Sequence, residues 1–143
     1  MSTNKNLRVL VVDDMLTMRQ LMRSALFALG IHNIQEAEDG EAALALLRRN
    51  NFDLVLLDAE MPRMSGMATL QSIRAAPGLT ALPVVMVTSR ADTDFVRHCA
   101  ESGVDGYLIK PFAPAALGAH IDAALKRAER RRAELLVSEP APA

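Results

Sequence analysis

Tryptophan is absent from the 143-residue chain, and aromatic residues of any kind make up 3 % of it. A core of the size this length allows therefore has to be aliphatic, built from Leu, Val, Ile, Ala and Met, and half of the residues are apolar. The single cysteine, Cys99, excludes an intramolecular disulfide framework and fits a reducing compartment. Charge is nearly balanced, with 16 Lys and Arg against 17 Asp and Glu, so the basic surplus of a general nucleic-acid binder is missing. No apolar run reaches the roughly 20 residues of a membrane span, and no apolar segment follows the polar start Met-Ser-Thr-Asn-Lys-Asn. These absences point to one cytoplasmic domain with neither nucleic acid nor membrane as partner.

What the chain does contain is a series of short aliphatic runs, each stopped by polar residues. Phe52-Asp53-Leu54-Val55-Leu56-Leu57-Asp58 is the clearest, a strand over 53–57 buried on both faces and closed by an aspartate and a Met61-Pro62 turn. Leu7–Val12 ends on Asp13 and Asp14, and Pro83–Val87 on Thr88 and Ser89. Gly106–Ile109 ends on Lys110 and Pro111, and Ile31–Ala37 is a weaker strand before a Glu38-Asp39-Gly40 turn. Between them the period changes to that of helices. Met15–Leu29 is capped by Gly30, and Glu41–Asn50 carries Arg48 and Arg49 in its last turn. A third helix runs from Ser65 or Gly66 to Ala76 before Pro77-Gly78, and a fourth spans Asp92–Ser102 before Gly103. The last begins at Pro114 and places Leu117, Ile121, Leu125 and Ala128 on one stripe.

Strict β/α alternation with short connections predicts a doubly wound α/β domain: a five-stranded parallel sheet with right-handed crossovers and five helices on its two faces. The expected strand order is 2-1-3-4-5, in which winding reverses between the first and third strands. The crevice beyond the C-terminal ends of those two strands is the expected site. Residues 7–134 form the expected domain, with 1–6 and 135–143 as flexible termini.

On this frame Asp13, Asp14, Asp58, Thr88 and Lys110 all fall at C-terminal strand ends and converge on one rim. Asp14 alone could be a helix N-cap, Lys110 alone a surface lysine and Thr88 alone a loop or capping hydroxyl; what separates them from that is their joint placement. Carboxylates held close repel one another unless a cation joins them. A hard divalent ion such as Mg²⁺ suits these oxygens, and it takes one or two carboxylates plus a phosphate oxygen. Lys110, the Thr88 hydroxyl and the nearby N-terminus of the first helix all suit a phosphoryl group. There is no second base, Gly-rich loop or partnered Ser or Cys nucleophile, so a carboxylate is itself the expected acceptor, giving an acyl-phosphate.

These residues resemble the receiver domain of two-component response regulators, closest to its stand-alone chemotaxis members, which share the flavodoxin-like fold and the same strand order. The resemblance is carried by Val11-Val12-Asp13-Asp14, Glu36-Ala37-Glu38-Asp39-Gly40, Asp58-Ala59-Glu60-Met61-Pro62, Met64-Ser65-Gly66, Leu82–Thr88 and Gly103–Phe112, over roughly residues 7–127. It implies that Asp58 is the phosphoacceptor for a sensor histidine kinase. It implies that Asp13, Asp14, Asp58 and the backbone carbonyl of Glu60 hold Mg²⁺. Thr88 resembles the switch hydroxyl, Tyr107 the switch aromatic, and Lys110 the site lysine, with Lys110-Pro111 a candidate cis bond. The chain departs from the chemotaxis regulators at Glu60 and Arg90, which are expected to pair across the path of an attacking water, set the dephosphorylation rate and affect any phosphatase partner.

A switch needs an output face, and the fourth helix, fifth strand and fifth helix are the candidate because Thr88 and Tyr107 connect them to the site. Val96, Ala100, Tyr107, Ile109 and His120 are the candidate contacts for a downstream protein. Such a chain is a switch rather than an enzyme, with self-phosphorylation and autodephosphorylation as its only chemistry. With only a Pro/Ala tail after the domain, the expected output is a protein contact, flagellar motor control first and a phosphorelay shuttle or a fragment of a longer regulator second. An aspartyl-phosphate hydrolase ranks below these, because that chemistry wants a second Asp where Glu60 stands.

Overall fold

The computed structural model describes residues 6–138. Ten elements alternate along the chain: β1 (Arg8–Val12), α1 (Leu16–Ala28), β2 (Asn33–Ala37), α2 (Gly40–Arg49), β3 (Leu54–Leu57), α3 (Gly66–Ala75), β4 (Val84–Thr88), α4 (Thr93–Glu101), β5 (Gly106–Ile109) and α5 (Pro114–Ser138). The five strands form one parallel sheet in the order β2-β1-β3-β4-β5, as the alternation predicts. Among the described residues no helix is long and apolar enough to cross a membrane.

The aliphatic runs are explained by burial on two sides. Side chains alternate across a strand, and all four residues of β3 are fully buried. Leu54 and Leu56 enter the core under α1 and α5, with Val9, Val11, Leu26, Ile121 and Leu117. Val55 and Leu57 enter the core under α2, α3 and α4, with Leu10, Leu47, Leu70, Ile73, Met86 and Cys99. Cys99 is wholly buried there as a packing residue.

Several boundaries differ from the sequence reading for local reasons. The chain leaves α1 through Gly30, at φ 84°, while the Ile31 N–H turns back to the Leu26 carbonyl, so β2 starts at Asn33 and not at Ile31. Asp39 accepts the Ala42 N–H and starts α2 at Gly40, one residue early. Helix α5 continues through Ser138, past the expected end near Leu135, because Ala133-Glu134-Leu135-Leu136 are strong helix formers with no breaker among them. The expected flexible termini fall for the most part on residues 1–5 and 139–143, which lie outside the described residues.

At the pole of the sheet opposite the strand C-termini, Asp105 is buried at 1 % exposure and ties three elements together. Its carboxylate accepts Arg74 Nη2 from α3 and the Val84 N–H, both at 2.9 Å, and is also paired with Arg131 from α5. Arg127 donates to the Asp105 carbonyl at 2.8 Å. Burial, with the charge of Arg131 added, pushes the Arg74 guanidinium down to about 10, against the pull of Asp105, so it stays a cation at neutral pH. Replacing Asp105 with Ala strands both arginines without their counter-charge, and urea unfolding should show a loss of roughly 3–5 kcal/mol. A loss below about 1 kcal/mol would mean that the cluster behaves as a solvated surface pair.

Candidate functional site

The strand register brings the polar residues together. Val12 is paired with Leu57, and Leu57 with Met86, so Asp13 and Asp58 are the next residues out on adjacent strands. Backbone bonds carry the order one step further, with the Asp58 N–H on the Val12 carbonyl at 2.9 Å and the Asp13 N–H on the Ala37 carbonyl at 3.1 Å. Thr88 pairs with Ile109, and the Lys110 N–H reaches the Thr88 carbonyl at 2.9 Å, which sets Lys110 at the same rim. All five expected site residues are therefore on one edge, and the Lys110-Pro111 bond is cis.

Asp13 and Asp58 are buried at 2 % and 8 % exposure, while Asp14 is open to water. One carboxylate oxygen from each of Asp13, Asp14 and Asp58 lies within 4.8 Å of the others. An all-oxygen donor set on so short a span fits a hard divalent cation such as Mg²⁺. Lys110 Nζ supplies the resident cation, 2.9 Å from Asp13 Oδ2 and 3.8 Å from Asp58 Oδ1. Asp14 is not an N-cap: α1 has no side-chain cap, and the Met15 N–H goes to Asp13 Oδ1 at 2.9 Å. That leaves the Asp14 carboxylate exposed at the mouth of the site.

Burial pushes Asp58 up to about 6. The charges of Asp13 and Asp14 add to the rise, whereas Lys110 and a hydrogen bond from the Glu60 N–H oppose it. The rim thus holds a carboxyl in a place that resists its ionisation.

Thr88 is 1 % exposed, and its Oγ1 accepts the Arg90 N–H at 3.3 Å. Tyr107 is half-buried, and its hydroxyl donates to the Arg90 carbonyl at 2.7 Å. The Thr88 and Tyr107 side chains therefore meet on one residue of the β4–α4 loop. Burial raises the Tyr107 phenol to about 12, so it remains a donor throughout the physiological range.

The expected Glu60–Arg90 pair is not formed. Arg90 makes two bonds to Asp92, at 3.0 and 3.2 Å, and its guanidinium lies over the Phe95 ring, 3.8 Å from the centroid. A partner two residues away and an aromatic face outcompete a carboxylate on another loop, and Glu60 is left exposed. Of the expected output residues, Ala100 and Ile109 are exposed, while Val96, Tyr107 and His120 are half-buried. Tyr107 and His120 line a shallow cavity of about 320 Å³ beside Ala119, Ala123 and Arg127. His120 Nδ1 is already engaged with the Ala116 carbonyl at 2.8 Å.

Two braces escaped the sequence reading. Arg19 and Arg23 on α1 hold Glu36 of β2, and Arg19 also donates to the Asp13 carbonyl at 2.8 Å. Arg63, in the loop after β3, pairs with Asp39 at the start of α2. Only the Asp39 cap left a trace in the sequence, as an Asp-Gly ahead of an apolar helix; the arginine partners lie too far along the chain to be read.

The raised pKa of Asp58 sets a sign for stability. The native state binds this proton more tightly than the unfolded chain, so the group's favourable contribution is complete below pH 3.8 and is lost as pH rises through about 6. In the absence of divalent ions, Asp58→Asn should therefore stabilise the fold at pH 7 by about 1–2 kcal/mol, after allowance for solvent at the open rim. Urea midpoints of the two proteins should converge as pH falls through 3.8, and equal midpoints at pH 7 would contradict the electrostatic account.

Known proteins place this geometry in context. The profile of the family described as "Response regulator receiver domain" matches residues 9–122. "Chemotaxis protein CheY-3" of Vibrio cholerae serotype O1 is 43 % identical over 124 residues, covering 87 % of this chain and 95 % of the relative. "Chemotaxis protein CheY" of Pseudomonas aeruginosa is 40 % identical over 121 residues, with 85 % and 98 % covered. The solved CheY-like response regulator receiver domain protein of Methanospirillum hungatei superposes with a TM-score of 0.78 at 25 % identity, over 88 % of this chain and 98 % of that one. With the profile spanning the sheet and the relatives aligned over nearly their full lengths, the chain belongs to the response regulator receiver domain family.

Proposed function

We propose that this protein is a response regulator whose chemistry is the gain and loss of a phosphoryl group on Asp58. The observation that carries the reading is the placement of Asp58 within 4.8 Å of Asp13 and Asp14 and 3.8 Å from Lys110 Nζ, on a rim fixed by strand register. A phospho-histidine of a sensor kinase is the donor. An Asp58 carboxylate oxygen attacks phosphorus, the P–N bond breaks as the P–O bond forms, and the histidine leaves as imidazole. Mg²⁺, when bound by Asp13, Asp14, Asp58 and the Glu60 carbonyl, neutralises charge on the transferring group. Lys110 adds a fixed positive charge, and the Thr88 hydroxyl is the hydrogen-bond donor to the new phosphoryl oxygens. On this reading the protein is a switch and not an enzyme of turnover.

The signal leaves through α4, β5 and α5. The Thr88–Arg90–Tyr107 contacts give a physical route, because a Thr88 hydroxyl drawn to the phosphoryl group gives up the Arg90 N–H and frees the loop that holds Tyr107. Val96, Ala100, Tyr107, Ile109 and His120 are the contacts offered to a cytoplasmic target protein. The two chemotaxis relatives support flagellar motor control as the pathway. Glu60 and Arg90 border the approach to the acyl-phosphate separately, where they set its lifetime and the fit of a phosphatase.

Incubation with Mg²⁺ and acetyl phosphate, followed by intact mass measurement, tests the reading. Wild type should gain one phosphoryl group that is lost again on removal of the donor, and Asp58→Asn should gain none. An equal adduct on both proteins would overturn the assignment of Asp58.

A further inference from the structure

Arg63, in the loop between β3 and α3, has φ 65° and alone among the described non-glycine residues has a positive value. A left-handed backbone is unfavourable for a residue with a Cβ and persists where surrounding contacts fix it. The fixing contact crosses to a different element: Arg63 Nη2 lies 2.5 Å from Asp39 Oδ2. Asp39 is a firm anchor, 7 % exposed, with its other carboxylate oxygen accepting the Ala42 N–H at 2.8 Å as the cap of α2. The Ala42 N–H first, and Arg63 after it, hold this carboxyl below the usual carboxylate range.

The loop that Arg63 steadies is the one that touches the acceptor. At its far end the Gly66 N–H closes on the Ala59 carbonyl at 2.9 Å, and a Cβ on Gly66 would meet the Asp58 carbonyl oxygen at 2.1 Å. At its near side a Cβ on Gly40 would stand 2.9 Å from Met64 Sδ, so the loop rests directly on the start of α2. Between these supports lies the Glu60 peptide, two residues from Asp58, and its N–H favours the charged form of that carboxyl against its burial. Pro62 has no N–H to offer, and its carbonyl is taken by the Met64 N–H at 2.7 Å. Met61 and Met64 pack this span on the core, and Arg63, three residues beyond Glu60, adds the ion pair that ties it to the start of α2.

We propose that Arg63 is a positioning residue for Asp58: its ion pair with Asp39 keeps the Glu60 peptide beside the acceptor and thereby sets divalent-cation affinity and phosphoryl acceptance. The inference rests on the receiver chemistry proposed above and adds to it a residue outside the rim. The Arg63 side chain is 62 % exposed, so the pair contributes little to global stability. Its effect is local, and that separates positioning from a merely structural role.

The test is a calorimetric Mg²⁺ titration of the full chain, with urea unfolding alongside, for wild type, Arg63→Gly, Arg63→Lys, Asp39→Asn and the Arg63→Gly/Asp39→Asn double variant. Glycine suits the left-handed backbone, so Arg63→Gly removes the pair without adding strain. It should weaken Mg²⁺ binding on the order of tenfold at an unchanged urea midpoint, and slow labelling by acetyl phosphate at limiting Mg²⁺. Arg63→Lys should retain most of the affinity, and the double variant should be no weaker than Arg63→Gly. Wild-type affinity in Arg63→Gly, or losses that add in full in the double variant, would overturn the proposal. A wild-type chain that takes up no Mg²⁺ would overturn the receiver chemistry itself, a result distinct from a wild type that binds and an Arg63→Gly that matches it.

Discussion

The structure is organised around an electrostatic conflict. Three carboxylates, two of them buried, meet at the ends of adjacent strands with a single lysine among them. Like charges so close, with water largely excluded, disfavour full ionisation, and Asp58 is the group that yields, pushed up to about 6. The sheet makes the conflict unavoidable. Parallel pairing of β1 with β3 fixes Asp13 beside Asp58, and burial of all four β3 side chains leaves that strand no freedom to slip in register. A cluster so short of positive charge is one whose ionisation a bound cation would favour.

The same constraint explains the division of labour around the rim. Lys110 neutralises the deeper carboxylates, Asp13 more closely than Asp58, and leaves Asp14 facing water. Thr88 and Tyr107 do not touch the carboxylate cluster through any charge of their own. They are tied to its neighbourhood by the backbone of Arg90, whose side chain is fixed on Asp92 and Phe95. Thr88 at the rim and Tyr107 of β5 are thereby linked through the Arg90 backbone, and a displaced Thr88 hydroxyl would break the first of those two bonds.

The fold and the rim were legible in the sequence because both follow from short-range rules. An aliphatic run of strand length, bounded by turn residues, can be buried on both faces only in a parallel sheet covered by helices, and alternation with helices then sets the topology. Asp13, Asp58, Thr88 and Lys110 were readable because each ends such a run. What stayed hidden depends on pairs far apart in the chain. Asp105 gathers arginines from α3 and α5, which no local pattern announces. The partner of Arg63 sits 24 residues earlier. Arg90 failed in the opposite way: Glu60 on the neighbouring loop was the expected partner, and a nearer carboxylate took its place. The end of α5 was misjudged because tail composition outweighed the helix propensity of Ala133–Leu136.

The measurement closest to the centre of this account is the titration of the Asp58 carboxyl carbon by NMR, with and without Mg²⁺. The account predicts a midpoint near 6 in the metal-free protein and a clear downward shift when Mg²⁺ is added, as the cation relieves the repulsion. A midpoint at the ordinary value of 3.8, unmoved by Mg²⁺, would contradict it.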